Sequence, residues 1–404
     1  MVFVILAFTS QFLTIGISKN IAAIERMWES EHADREDIMR FGMRLNFGLF
    51  YIYAPLVFFA IKLFRRSVIY LIGSLISSLS MIILFYHSNS IMILVFYGIT
   101  QPLGISMVHF TIISLSRITY VKENPALDAL ISTGGSFGTL VQSVFLERFM
   151  MAYVSDEIIL IIYGLSMLLM SLFAILIDRV DLPQTQKRPF LKELTYTFRT
   201  SFSVWQNHIF FVEMLAIFVV SLGYPNIYLY LAALASKNNI PEDLSHYLIG
   251  ILSIGTIIGE VGIFTVEKYA GYHRTVVLMV VFFALSLLNT FFISCTVSTS
   301  FIVFSVFYGI FDGCYNSMTP FLIDDAFALE EINNPDTKVS DREKEVKVET
   351  GATLSHFIHG VAIMICLEIS DSIMARLGNV SAVFIISGST YMFASMLMSL
   401  VGFI

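Results

Sequence analysis

Charged residues are scarce in this chain. Asp, Glu, Lys and Arg make up 14% of its 404 residues, against about 25% in a typical soluble domain. Hydrophobic residues reach 56%, where a soluble domain holds about 45–50%; no soluble core could hide that excess. Cysteine is also thin. Cys295, Cys314 and Cys366 are scattered through apolar runs, which argues against a disulfide framework or a zinc site. The sequence has no basic tail for nucleic acid and no glycine loop before a helix to cradle a phosphate. It also lacks the HExxH, Gly-x-Ser-x-Gly and paired Gly-Asp patterns of hydrolases. These absences imply no enzyme activity, no cofactor, no metal and no nucleic-acid partner. The net charge of −7 does not count against a bilayer, because orientation follows Lys and Arg rather than net charge.

What the chain does have is long apolar runs. A spanning helix needs about 20 apolar residues. Runs of that kind fall at roughly 2–24, 38–62, 68–87, 91–115, 126–150, 157–178, 207–235, 245–266, 274–294, 300–328, 350–374 and 380–403. The first starts at Met1 with no basic leader and no small-residue cleavage site, so it reads as a membrane helix rather than a signal peptide. Two polar stretches are longer than the other connections: 179–206, with Pro183, Lys187, Arg188, Pro189 and Lys192, and the mixed-charge run 330–349. The first divides the chain six and six. The expected architecture is an all-α membrane protein of twelve transmembrane helices in two six-helix bundles. Residues 1–178 form the N-terminal bundle, 179–206 a cytosolic central loop and 207–404 the C-terminal bundle.

The basic residues set an orientation. With the N-terminus inside, the inner loops and their flanks hold 16 of the 24 Lys and Arg residues, among them Lys62, Arg65, Arg66, Arg117, Arg179, Arg199, Arg274 and Lys347. The outer side holds 6, among them Arg26, Arg40, Lys237 and Arg376. That bias predicts both termini in the cytosol. The outer segment from Glu25 to Asp37 is acid-rich and reads as solvated. Asn379 begins an Asn-Val-Ser sequon, but its turn is short enough to hug the membrane, so it is expected to be unmodified. The basic turns "IKLFRRS" (61–67) and "EKYAGYHR" (267–274) follow the second and eighth runs. They fit an internal repeat, and they fit plain positive-inside charge just as well.

Three stretches resemble the monocarboxylate transporter family of the major facilitator superfamily. "YVKENPALDALISTGGSFGT" (120–139) is similar to the family's junction between the fourth and fifth helices and ends in Gly134-x-x-x-Gly138. The stretch 210–260 resembles the seventh and eighth helices, with its "SLG" turn and "LSIG". "YGIFDGCYNSMTPFLIDDAF" (308–327) is similar to the tenth helix, with Gly309-x-x-x-Gly313 and a late Asp325. There are departures. The Asp-Gly-Gly-x-Gly-Trp signature before helix 1 is not seen, and the basic pair near 122–124 is reduced to Lys122 beside Glu123. The glycine pairs also have a purely structural reading, since residues four apart share a helix face and admit a second backbone.

Ionisable groups inside apolar runs need a reason, since a charge at mid-bilayer costs about 2.5–3.5 kcal/mol on insertion scales. The candidates are Lys19, Arg44, His109, Glu213, Glu260 and Asp312. In the fold that the resemblance implies, runs 1, 4, 7 and 10 line a central cavity; Lys19, His109, Glu213 and Asp312 fall on those four, and Asn316 lies one turn after Asp312. Lys19 matches a family lysine that couples protons to the anion; alternatively it snorkels outward, a reading equally open for Arg44. Tyr51 matches a family tyrosine that contacts substrate, or is a packing aromatic. His109 has the ordinary range of a proton relay, or is a satisfied buried histidine. His356 and His359 share a face but lack further metal ligands. The family's eighth helix carries an acid and, four residues on, an arginine that pairs with the substrate carboxylate. Here those positions hold Thr256 and Glu260, so the sign is reversed.

The resemblance implies a secondary or facilitative transporter of a small organic solute, working by alternating access in the plasma membrane. With Glu213, Glu260 and Asp312 outweighing Lys19 and Arg44, a neutral, zwitterionic or cationic solute is expected in place of lactate or pyruvate. Two alternatives stay open on the sequence alone: a proton-coupled monocarboxylate symporter, with protons and a single-span accessory glycoprotein as partners, and a non-transporting membrane receptor.

Overall fold

A computed structural model describes residues 2–20, 23–24, 28, 36–87, 89–117, 125–146, 153, 155–180, 190–270, 273–333 and 341–401. Most of the acid-rich segment 25–35, Lys122 with Glu123, the linker residues 181–189 and residues 334–340 lie outside the described residues. What is described is almost entirely helical. Nine described helices are long and apolar enough to cross a membrane, ten when Arg40–Ile52 and Ala54–Leu63 count as one span bent by 45°. Pro125–Phe145 and Ser298–Asn333 occupy the fifth and tenth places of the expected order. They are less apolar for a packing reason. The fifth helix lies along the first and eighth, and the tenth along the eighth, so each gives part of its surface to small and polar residues at helix contacts instead of to lipid. The protein is a multi-pass integral membrane protein with two bundles of six helices.

Close helix pairs are made by glycine. A methyl group on Gly134 or Gly138 would sit 2.5 or 2.1 Å from the carbonyl oxygens of Phe8 and Phe12 on the first span. Gly255, Gly259, Gly309 and Gly313 make the same kind of seam between the eighth and tenth spans, with a Cβ on Gly313 only 2.1 Å from the Thr256 carbonyl oxygen. Both glycine pairs singled out in the sequence are thus backbone-to-backbone contacts.

Three irregular spans shape the interior. Pro55 has no N–H for the Tyr51 carbonyl and its ring crowds that turn, so the second span bends at Tyr53. Pro102 interrupts the fourth span in the same way. The turn before it widens, the Gln101 N–H reaching back five residues to Phe96 O, and Ile93–Thr100 is π-helical. The seventh span breaks between Ser221 and Pro225 at Leu222-Gly223-Tyr224.

The linker and the tenth connection are more ordered than the sequence suggests. Phe190–Val204 is a helix inside the expected central loop and packs on the eleventh span. Its amphipathic pattern is masked in the sequence by the neighbouring prolines and basic residues. The tenth and eleventh helices run 36 and 37 residues, about 54 Å at 1.5 Å per residue, against a hydrocarbon core of about 30 Å. Both therefore project from the bilayer, and much of the polar stretch 330–349 is helical rather than loop. Because successive spans are antiparallel, the molecule has a near end, where the first span begins, and a far end.

Candidate functional site

A cavity of about 200 Å³ lies between the two bundles. Its lining comes from spans 1, 2, 4 and 5 of one bundle and spans 7, 8, 10 and 11 of the other; among the described residues, spans 3, 6, 9 and 12 contribute none. The cavity runs from Lys19 and Glu260 in the interior toward Arg117 and Asp324 at the near end. The irregular spans put specific groups there. The bend at Pro55 follows directly on Tyr51, and the break before Pro225 brings Tyr224 beneath Lys19, whose Nζ is 5.8 Å from the ring centre.

The far end of the cavity is a chain of polar contacts between the bundles. Lys19 Nζ donates to the Tyr228 hydroxyl at 3.0 Å, and that hydroxyl donates to Asp312 Oδ2 at 3.0 Å. Lys19 and Asp312 are 3.6 Å apart as an ion pair. Asn316 Nδ2 donates to the same Asp312 oxygen at 3.0 Å, and Thr256 Oγ1 lies 3.5 Å from it. Lys19 also sits 5.0 Å from the centre of the Tyr228 ring, within cation–π range. In water such a pair at about 4 Å is worth roughly 1 kcal/mol; in this dry setting the attraction is several times stronger. Farther out, Arg44 pairs with Asp371, which also accepts from the Tyr230 hydroxyl at 2.9 Å.

Glu260 is placed differently. It lines the cavity, Oε1 accepts from Ser136 Oγ at 2.8 Å, and Oε2 has no hydrogen-bond partner among the described residues. His109, His356 and His359 line the same cavity from spans 4 and 11. His109 Nδ1 is 2.6 Å from Gln11 Oε1, and His359 Nδ1 is 2.6 Å from Ser221 Oγ. Tyr51 meets His359 edge-on at 4.5 Å and stacks parallel to His356 at 6.2 Å. Among the described residues no group of three His, Cys, Asp or Glu side chains is arranged to hold a metal.

Of the residues named from sequence, Lys19, Tyr51, His109, Glu260 and Asn316 line the cavity. Asp312, joined to Lys19, and Thr256, beside Asp312, are not in the lining. Glu213 and Arg44 are not in the lining. Glu213 lies one helical turn short of Ile217, which is, and its Oε2 is buried without a partner among the described residues. Arg44 is drawn outward by Asp371, a residue the sequence places merely near a span end. Gln11, Ser136 and Arg117 line the cavity and do not stand out in the sequence. Ser136 looks like a small packing residue between two glycines, and Gln11 is a lone amide in an apolar run. Arg117, which reads as a loop charge, donates to Pro320 O at 3.4 Å across the bundles.

The comparisons with known proteins agree with this fold. The MFS transporter asaE of Aspergillus flavus is 25% identical over 239 residues, 58% of this chain and 51% of that protein, so the chain spans about half the length of the relative it matches. The crystal structure of a point mutant of the nucleoside transporter NupG superposes with a TM-score of 0.71 over 99% of both chains at 12% identity, a likeness of fold. The family model described as Major Facilitator Superfamily matches residues 5–333, and the chain belongs to that superfamily.

Proposed function

We propose that this protein is a transporter that carries a small organic solute across the membrane by alternating access, and that simple monocarboxylates are poor substrates. The observation that carries the reading is the cavity shared by four spans from each bundle, closed at its far end by the Lys19–Tyr228–Asp312 bridge. A site walled equally by two bundles changes its exposure when they rock against each other. In this reading residues 1–178 and 207–404 are the moving units, both termini and the 179–206 linker face the cytosol, and the protein works in the plasma membrane. No step of this cycle requires covalent chemistry, and we read the protein as a carrier rather than an enzyme.

The bias against small anions follows from where the charges go. Lys19, the cation a carboxylate would seek, is already engaged by Asp312 and Tyr228. At the position where the monocarboxylate transporters carry arginine there is Glu260, and like charges repel strongly in a low-dielectric cavity. The monocarboxylate likeness therefore stops short of the substrate. The test is uptake by cells expressing the protein, using radiolabelled lactate, uridine, a zwitterionic amino acid and an organic amine, each at mildly acidic and neutral pH. Lactate is expected at background and at least one of the others above it. Saturable lactate uptake abolished in Lys19→Ala would refute the reading, and pH-independent uptake would argue against proton coupling.

A further inference from the structure

We propose that the cavity recognises the ammonium group of a protonated organic amine, with Glu260 as its counter-ion. This assignment deepens the transport reading and rests on it for the direction of its test. It starts from an unfilled valence. Glu260 is 2% exposed, and in either protonation state Oε2 has no partner among the described residues. A buried polar atom left in that condition is destabilising, and more so when charged. Glu260 is among the residues that line the cavity, so a ligand that enters can supply what the fold does not.

The imidazoles set the sign of the remaining polar groups. Gln11 Oε1 is a carbonyl oxygen and only accepts, so His109 Nδ1 carries the proton at that 2.6 Å contact. Ser221 Oγ lies 2.6 Å from both Ile217 O and His359 Nδ1, so His359 Nδ1 donates whenever the hydroxyl proton is directed to Ile217 O. A neutral His109 thereby keeps Nε2 as a hydrogen-bond acceptor. The lining thus offers a carboxylate and an imidazole acceptor. The deep cation, Lys19, is matched by Asp312 at 3.6 Å, which leaves Glu260 as the carboxyl group without an ion-pair partner at that level among the described residues. Arg117, the other cation in the lining, lies at the near mouth. An ammonium group has three N–H donors and no acceptor, the complement of this set. The aromatic rings of Tyr51 and Tyr315 in the same lining favour a cation again. The volume of about 200 Å³ suits a small arylalkyl or aliphatic amine.

The experiment compares three molecules of one shape: tyramine (cation), tyrosol (neutral) and 4-hydroxyphenylacetate (anion). Each is titrated against the purified full-length protein with thermal unfolding as the readout. Tyramine is expected to bind about tenfold or more tightly than tyrosol, a factor of ten being about 1.4 kcal/mol, and the acid is expected to give no protection. Glu260→Gln, nearly isosteric, is expected to erase the preference for tyramine over tyrosol, while Glu260→Asp keeps part of it. An unchanged gel-filtration profile establishes that the variants fold. Equal protection by tyrosol and tyramine in the unmodified protein, or a preference that survives in Glu260→Gln, overturns the assignment. Uptake into proteoliposomes separates the two readings. Tyramine that binds through Glu260 but is never carried sinks the transport reading and leaves the binding site standing. Uridine carried equally well by the parent and Glu260→Gln, with no protection by tyramine, does the reverse.

Discussion

Asp312 and Glu260 lie on adjacent spans of the same bundle, are equally buried, and meet opposite circumstances. Asp312 is surrounded: Lys19, Tyr228 and Asn316 all reach one of its oxygens, and Thr256 stands close. Glu260 has Ser136 on one oxygen and, among the described residues, nothing on the other. Both make their main contact across the bundle boundary, since Lys19 and Ser136 belong to the first six spans. A carboxylate filled by the protein joins the two bundles, whereas one left half-filled is available to something that enters. Burial alone does not distinguish these roles; the count of satisfied lone pairs does.

The largest effect should come from breaking the filled site. Lys19→Ala leaves Asp312 as an uncompensated buried charge, which costs about 3–5 kcal/mol. We expect a marked loss of thermal stability in detergent, largely restored in the Lys19→Ala/Asp312→Asn double variant. If the single variant unfolds like the parent, Asp312 is not filled in the sense argued here. The next effect probes the seam that holds the two carboxylates in register. In Gly313→Ala the added methyl would meet the Thr256 carbonyl at 2.1 Å and the Glu260 amide nitrogen at 2.8 Å, both backbone atoms that cannot rotate away. A destabilisation of about 3 kcal/mol is expected, at the upper end for overpacking. Gly262→Ala on the same seam's eighth span meets nothing within 4 Å and should be neutral or slightly stabilising in the same unfolding assay. The smallest effect belongs to the half-filled site. Ser136→Ala removes the one partner of Glu260, but the cavity admits water in its place, so about 1 kcal/mol is expected. A loss as large as that of Lys19→Ala would erase the distinction between the two acids.

The sequence makes the depth of these groups legible but not their direction. Lys19, His109, Glu213, Glu260 and Asp312 stand out because each interrupts an apolar run, and all five are buried. Whether a buried group faces the cavity depends on helix rotation and on the partner span, which hydropathy does not encode. Glu213 and Glu260 give the same signal, yet only Glu260 lines the cavity. Arg44 and Asp371 pair across spans 2 and 11, a contact far apart in sequence that neither residue advertises. The twelve-span order is readable because it depends on length and apolarity. The fifth and tenth helices are the hardest part of it, since the small and polar residues that let them pack also dilute their apolar signal. The helix Phe190–Val204 escapes a sequence reading because its flanks look like loop.

The glycine seams have a mechanical consequence. Spans 1 and 5, and spans 8 and 10, touch backbone to backbone inside a single bundle. Helices welded that closely transmit torque instead of absorbing it, so each bundle is stiff against shear. Among the described glycines, one backbone contact of this kind crosses between bundles. A Cβ on Gly360 would lie 2.7 Å from Ile52 N and 2.8 Å from Gly48 O, just ahead of the bend at Tyr53. In the rocking cycle proposed above, this close point in mid-span is where the bundles are expected to pivot, and a small rotation about it would be magnified with lever length toward both ends of the molecule.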